Sequence, residues 1–167
     1  MPFETPNLIE ENTAVPRRVE TDSFVIRPLR VTDARADFNA VTESRGRIKN
    51  TFGPDHPWPS ESLTSRQNRI DVAWHRKEHQ RRDSFTFTVY DHESETELGC
   101  LYIQPTRVDS YDATVYFWVS ESGVQRDLSN RITSCIKTWI TDDWPITKLI
   151  YPGRDICWDD WQTLKSE

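Results

Sequence analysis

The sequence predicts an α+β domain organised around one central sheet, and three observations carry that prediction. Phe85, Phe87 and Val89 alternate with Ser84, Thr86 and Thr88, the period of two that marks a half-buried strand. Two further apolar runs, Leu98 to Gln104 and Ala113 to Ser120, follow across polar connections, so these three strands are expected to pair as an antiparallel meander. Leu128, Ile132, Cys135, Ile136, Trp139 and Ile140 then recur at the spacing of one helix face. Helical segments set before and after a run of strands give the α+β pattern.

The elements follow in order. Residues 1–18 carry Pro2, Pro6 and Pro16 among polar neighbours and show no period, so they read as an extended N-terminal arm, with 19–167 as a single domain. Phe24, Ile26 and Leu29 around Arg27-Pro28 read as a strand. Thr32 is expected to cap a helix that starts at Asp33 and turns Ala34, Phe38 and Val41 inward. The stretch from Asn50 to Pro59, with Gly53, Pro54 and Pro57, ends that helix as a loop.

Ser60 or Ser62 is expected to cap a second helix in which Leu63, Ile70, Ala73 and Trp74 share one face. Arg66, Arg69, Arg76, Lys77, Arg81 and Arg82 load the other, which reads first as a solvated face and second as a partner-binding patch. After the three strands and the long helix, Trp144-Pro145 is a stop and Lys148 to Tyr151 a short strand. Pro152-Gly153-Arg154 then turns into a tail bearing Trp158 and Trp161.

Composition narrows the function classes. The 167 residues hold 21 Lys+Arg against 27 Asp+Glu, a net charge of -6 that repels phosphate backbones and argues against nucleic acid as a partner. No apolar run reaches the roughly 18 residues of a membrane span, and Met1 to Arg18 has no secretory apolar segment, so a cytoplasmic protein without a membrane partner is expected. Cys100, Cys135 and Cys157 are odd in number and lack CxxC spacing, which suits buried thiols better than disulfides or zinc. His56, His75, His79 and His92 are scattered; His75 and His79 lie one turn apart, but no carboxylate or cysteine joins them at ligand spacing, and no metal is expected. GxSxG, HExxH, Walker A and GxGxxG are all absent.

One segment points to chemistry. Tyr116-Phe117-Trp118-Val119-Ser120-Glu121-Ser122-Gly123 leads from a strand through a polar turn towards a helix, and a helix N-terminus presents unpaired N–H groups that favour an anion. With the element order, the opening Val19-Glu20-Thr21-Asp22-Ser23-Phe24-Val25-Ile26-Arg27-Pro28-Leu29, the later Asp33-Ala34 and the turn Glu97-Leu98-Gly99-Cys100, this region resembles the GNAT superfamily of N-acetyltransferases. More narrowly, it resembles the ribosomal-protein N-acetyltransferase-like branch, over about Val19 to Arg154.

The resemblance implies a mixed, mainly antiparallel sheet flanked by helices, here C-terminally shortened, and acetyl-CoA as the cofactor. Its acyl group would pass directly to the amine of a small molecule or peptide. The cofactor-binding set it implies is Trp118, Val119, Ser120, Val124, Gln125, Arg126, Asp127, Leu128, Ser129 and Arg131. The phosphate loop is degenerate: where the family reads Gln/Arg-x-x-Gly-x-Gly/Ala, this chain has Val124, Asp127 and Ser129. Asp127 brings a side chain and a negative charge to the phosphate position, where its carboxylate can cap the helix instead, while Arg126 and Arg131 offer side-chain contacts to phosphate.

Glu121, Tyr116 and Tyr151 are the nearest candidates for proton transfer, and packing or surface placement competes for each. The expected function is acyl-CoA-dependent N-acyltransfer; the alternative is a catalytically degenerate GNAT-like binding or interaction module that does not use acyl-CoA. A cleft is expected beside Tyr116 to Val119. An open sheet edge is expected near Leu149, covered by the arm or by a second copy in a homodimer with Trp158 and Trp161 at the contact.

Overall fold

Alternation along the strands sets the architecture seen in a computed structural model that describes residues 8–167. Pro2 and Pro6 of the expected arm lie outside the described residues. A six-stranded sheet runs in sequence order: β1 (Val19–Glu20), β2 (Val25–Pro28), β3 (Phe85–Asp91), β4 (Thr96–Pro105), β5 (Ala113–Val119) and β6 (Leu149–Ile150). Strands β1 to β5 pair antiparallel, and β6 joins β5 in parallel. The helices are α1 (Ala34–Ile48), α2 (Ser65–Arg81), α3 (Glu121–Gln125), α4 (Ser129–Asp143) and α5 (Trp158–Lys165).

The period of two divides the core between the sheet faces. Phe85, Phe87, Leu101, Ile103, Val115 and Phe117 meet Ile132, Ile136, Trp139 and Ile140 of α4. Cys100, Tyr102 and Trp118 point the other way, to Ala40, Val41 and Ile48 of α1.

Several helix details differ from expectation, and buried polar groups explain most of them. α1 begins at Ala34 behind a 3-10 turn (Val31–Asp33). Asp33, not Thr32, organises this start: its carboxylate accepts the Arg30 N–H at 2.8 Å and both ends of the Arg27 guanidinium at 2.8 and 2.9 Å. The inward positions of α1 are Asp37, Ala40, Val41, Ser44 and Ile48, with Phe38 half-buried. In α2 the cap is Thr64, which accepts from Gln67 N–H, and neither Ser60 nor Ser62 serves.

α2 also turns a different face inward. Asn68 and Val72 are buried, whereas Ile70 and Trp74 are 53% and 57% exposed. Asn68 Nδ2 donates to Asp37 at 2.8 Å, and His79 sits against Thr86 of β3, so polar contacts select this face over the more apolar one.

The helix expected to follow β5 is split: α3 ends at Gln125, Asp127 takes φ 58°, and α4 starts at Ser129. Leu128 occupies the N-cap of α4 and no side chain caps it, so Asp127 does not cap this helix. Part of the N-terminal arm belongs to the core, where Ile9 is 3% exposed. Arg82 holds this segment by donating to the carbonyls of Glu10 and Glu11, away from β6. On the β6 side α5 brings Trp161 into burial within its own chain. Of the three thiols only Cys100 is buried; Cys135 is intermediate and Cys157 exposed.

Candidate functional site

The site forms where β5 outruns β6. Leu149 and Ile150 pair only with Ala113 and Thr114, and the chain then leaves through Pro152 and Gly153, the latter at φ 81°. The Ser120 N–H turns to Leu98 O of β4, so by the alternation of backbone groups Phe117 and Val119 turn theirs to the open β6 side. Arg154 reaches into this gap: its Nη2 donates to the Phe117 carbonyl at 3.0 Å, with the guanidinium 3.6 Å from the Phe117 ring centroid. Trp158 backs the turn so closely that a Cβ on Gly153 would lie 2.5 Å from its ring.

The turn after β5 is equally constrained. Ser120 Oγ accepts from the Gly123 N–H at 3.1 Å, and a Cβ on Gly123 would come within 2.8 Å of Val119 Cγ1 and 3.1 Å of Leu98 O. The first bond of α4 joins Ile132 N–H to Leu128 O, leaving the N–H groups of Ser129, Asn130 and Arg131 without helical partners. These elements enclose a cavity of about 580 Å³ lined by Phe117, Trp118 and Val119 on one side and by Val124, Ser129, Asn130 and Thr133 on the other. Arg47 and Arg154 also line it, and among the described residues no carboxylate does. Arg47 is met by Glu121 at 3.0 Å, so it is Arg154 and the bare N-terminus of α4 that make the cleft anion-receptive in a chain of net charge -6.

Among the residues named for cofactor binding, Trp118, Val119, Val124 and Ser129 line the cavity. Ser120 and Leu128 are buried behind it. Gln125 and Asp127 are exposed and outside its lining. Arg126 pairs with Asp91 at 2.6 Å and with Ser94, and Arg131 bonds Ser23, so both cations are engaged elsewhere.

The three proton-transfer candidates do not converge. Glu121 pairs with Arg47 at 3.0 Å. Tyr116 meets Phe52 in a tilted contact on the α1/α2 side, and Tyr151 is buried with its hydroxyl unpartnered among the described residues and its ionisation pushed up to about 12, chiefly by burial. None lines the cavity. Arg47, Asn50, Thr51 and Arg154 do, and sequence reasoning missed them; the Pro152-Gly153 turn marks the neighbourhood of Arg154, whereas Arg47 gives no local signal.

Two further features lie on the α1/α2 side. A second cavity of about 580 Å³ has walls of Phe52, Trp58, Trp74, Tyr102 and Tyr116, with Asp71 and His75 at its rim. Trp58 and Trp118, 6.2 Å apart between ring centroids, connect this wall to the first cavity. Deeper in, Asp37, Glu97 and Cys100 bring three donor atoms within 4.8 Å of one another. The Cys100 thiol donates to Glu97 Oε1 at 3.1 Å, and the Thr88 hydroxyl donates to the same oxygen at 2.7 Å.

No family model and no curated protein matches the chain. Solved structures do. The ribosomal-protein-S5-alanine acetyltransferase from Vibrio fischeri superposes with a TM-score of 0.61 at 14% identity, covering 90% of this chain and 81% of that one. A GNAT-family acetyltransferase from Bacillus anthracis gives 0.59 at 10% identity, covering 80% and 72%. A ribosomal L7/L12 α-N-protein acetyltransferase in complex with coenzyme A gives 0.55 at 13% identity, covering 76% and 70%. At such identities the likeness establishes architecture, and the chain has the GNAT fold.

Proposed function

We propose that the chain is an acyl-CoA-dependent N-acetyltransferase. The observation that carries this reading is the stretch of β5 left unpaired by β6, with only the Phe117 carbonyl met by Arg154, leading to the bare N-terminus of α4, with two arginines and, among the described residues, no carboxylate in the lining. That donor set fits acyl-CoA: Val119 offers its N–H and carbonyl to the amides of a pantetheine arm, and the Ser129 and Asn130 N–H groups, with Arg47, suit a pyrophosphate. Bound there, acetyl-CoA supplies an activated acyl thioester to an amine. A cleft-side N–H of β5 is placed to polarise the carbonyl under attack.

The acceptor enters from the aromatic cavity on the α1/α2 side, where Trp74 and Trp58 give an apolar wall for the body of an amine, and Asp71 and Lys165 line it with opposite charges. Glu121, Tyr116 and Tyr151 lie outside the cleft lining, and water takes the amine proton in this reading. Thermal unfolding in the presence of CoA and acetyl-CoA tests the proposal. Ligand at 100 times its dissociation constant should stabilise the fold by roughly 2.7 kcal/mol. Stabilisation by both, with thiol release on adding an amine, is the expected result; no stabilisation by either would leave the interaction-module alternative.

A further inference from the structure

We infer that the opposite end of the sheet carries a second anion site, built for a free small molecule bearing two or more phosphate charges. A cavity of about 540 Å³ lies between β2, the C-terminal turns of α2 and the chain at Ala14 to Arg18. Six arginines line it: Arg17, Arg18, Arg27, Arg30, Arg76 and Arg82. Among the described residues no carboxylate does, although acidic residues outnumber basic ones in the whole chain. Its volume is that of a small-molecule pocket, not of a flat polyelectrolyte surface.

Most of this charge is uncompensated. Arg27 is neutralised by Asp33 and Arg18 by Glu20. Arg82 spends its donors on the carbonyls of Glu10 and Glu11, which orient its guanidinium without cancelling its charge. Arg17, Arg30 and Arg76 form no ion pair among the described residues. Four positive charges around one cavity repel one another in the empty state and call for an anion of more than one charge.

Arg27, only 5% exposed, is held by two bonds to Asp33 and lies 4.7 Å from the Tyr90 ring centroid, so it belongs to the wall of the cavity and adds no free charge to it. His79, in the same wall, is held neutral against Thr86 mainly by burial, so the site's charge is that of its arginines alone. Two whole strands, β3 and β4, separate β2 from β5, so this site is distinct from the proposed acyl-CoA cleft and does not depend on that reading.

Calorimetry on the full chain with pyrophosphate and with ATP tests the inference. The variant is Arg30→Gln with Arg76→Gln, two side chains that hold no ion pair among the described residues, so the fold should persist by circular dichroism. A saturable binding step of either probe to the unmodified chain, weakened about tenfold or more in the double variant and unchanged in Arg69→Gln on the exposed face of α2, is the expected result. Absence of binding by both probes, or equal affinity in the double variant, would overturn it. So would binding confined to phosphatidylcholine vesicles containing phosphatidylserine, which would make the patch a membrane contact instead.

Discussion

Arg154 closes with its own side chain the hydrogen bond that a longer β6 would have made to Phe117. Its Nη2 donates to the Phe117 carbonyl at 3.0 Å, at the level where β6 has already parted from β5. A ligand that pairs along β5 beyond Val119 as far as Phe117 must replace that bond, so Arg154 and such a ligand compete for one acceptor.

The competition has a measurable signature. Arg154→Ala frees the carbonyl, so pantetheine, which carries no phosphate, should bind several-fold more tightly, the worth of about one net hydrogen bond. Arg47→Gln removes charge at the other part of the cleft and should weaken CoA several-fold while leaving pantetheine unchanged. For CoA the loss of the Arg154 charge opposes the freed carbonyl, so the phosphate-free probe is the diagnostic one. Titration of both ligands against both variants checks this, and pantetheine binding that weakens in Arg154→Ala would show that the arginine holds the arm instead of competing with it.

The meander and α4 were legible in the sequence because each has one dominant period, two along Phe85 to Val89 and one helix face from Ile132 to Ile140. The face of α2 was not. Ile70 and Trp74 make the apolar choice, but Asn68 meets the buried Asp37 carboxylate and His79 meets the Thr86 backbone, and those pairings join residues far apart in the chain. The cleft was half legible for the same reason. Trp118, Val119, Val124 and Ser129 lie on one continuous strand-turn-helix segment, whereas Arg47 and Arg154 reach it from α1 and from the turn after β6.

His79 makes the fold sensitive to acid. Burial lowers its ionisation to about 4, with a smaller push from Arg76, against the backbone contact at Thr86, which acts to raise it. The unfolded chain protonates near pH 6.5, so between there and pH 4 it binds more protons than the native state. Stability is therefore full above pH 6.5 and falls as pH drops through that window, by an amount bounded at about 3 kcal/mol. Urea unfolding should show the native protein losing stability between pH 7 and pH 5, and a shallower loss in His79→Gln. Equal slopes would assign the acid sensitivity to other groups.

Glu97 acts in the opposite direction. Burial first, and the Asp37 carboxylate second, raise its ionisation well above the ordinary range, so it is neutral in the native state where the unfolded chain ionises. The stability this gives is present below the unfolded pKa of about 4.3 and is lost as pH rises towards the native value. Glu97→Gln keeps an acceptor for the Thr88 hydroxyl and cannot ionise. The variant should gain stability relative to the parent, and the gain should widen from pH 5 to pH 8. A gain that does not vary with pH would mean that Glu97 is charged in the native state or that its burial is relieved by a bound cation.

Asp127 tests how the degenerate loop works. Its backbone is left-handed at φ 58°, its N–H bonds Val124 O at 3.0 Å, and its exposed side chain lies outside the cleft lining. The glycine expected there by family resemblance thus answers a backbone requirement that aspartate can meet, since its short polar side chain tolerates this region. Asp127→Gly and Asp127→Ala remove the same negative charge, but only alanine keeps a Cβ in the left-handed conformation. The alanine variant should therefore be less stable than the glycine variant by about 1 kcal/mol, while the two bind CoA with equal affinity. Denaturant unfolding and calorimetry on the pair decide it. If glycine binds CoA markedly more tightly than alanine, bulk at position 127 does obstruct the phosphates, and the side chain must turn into the cleft when ligand approaches.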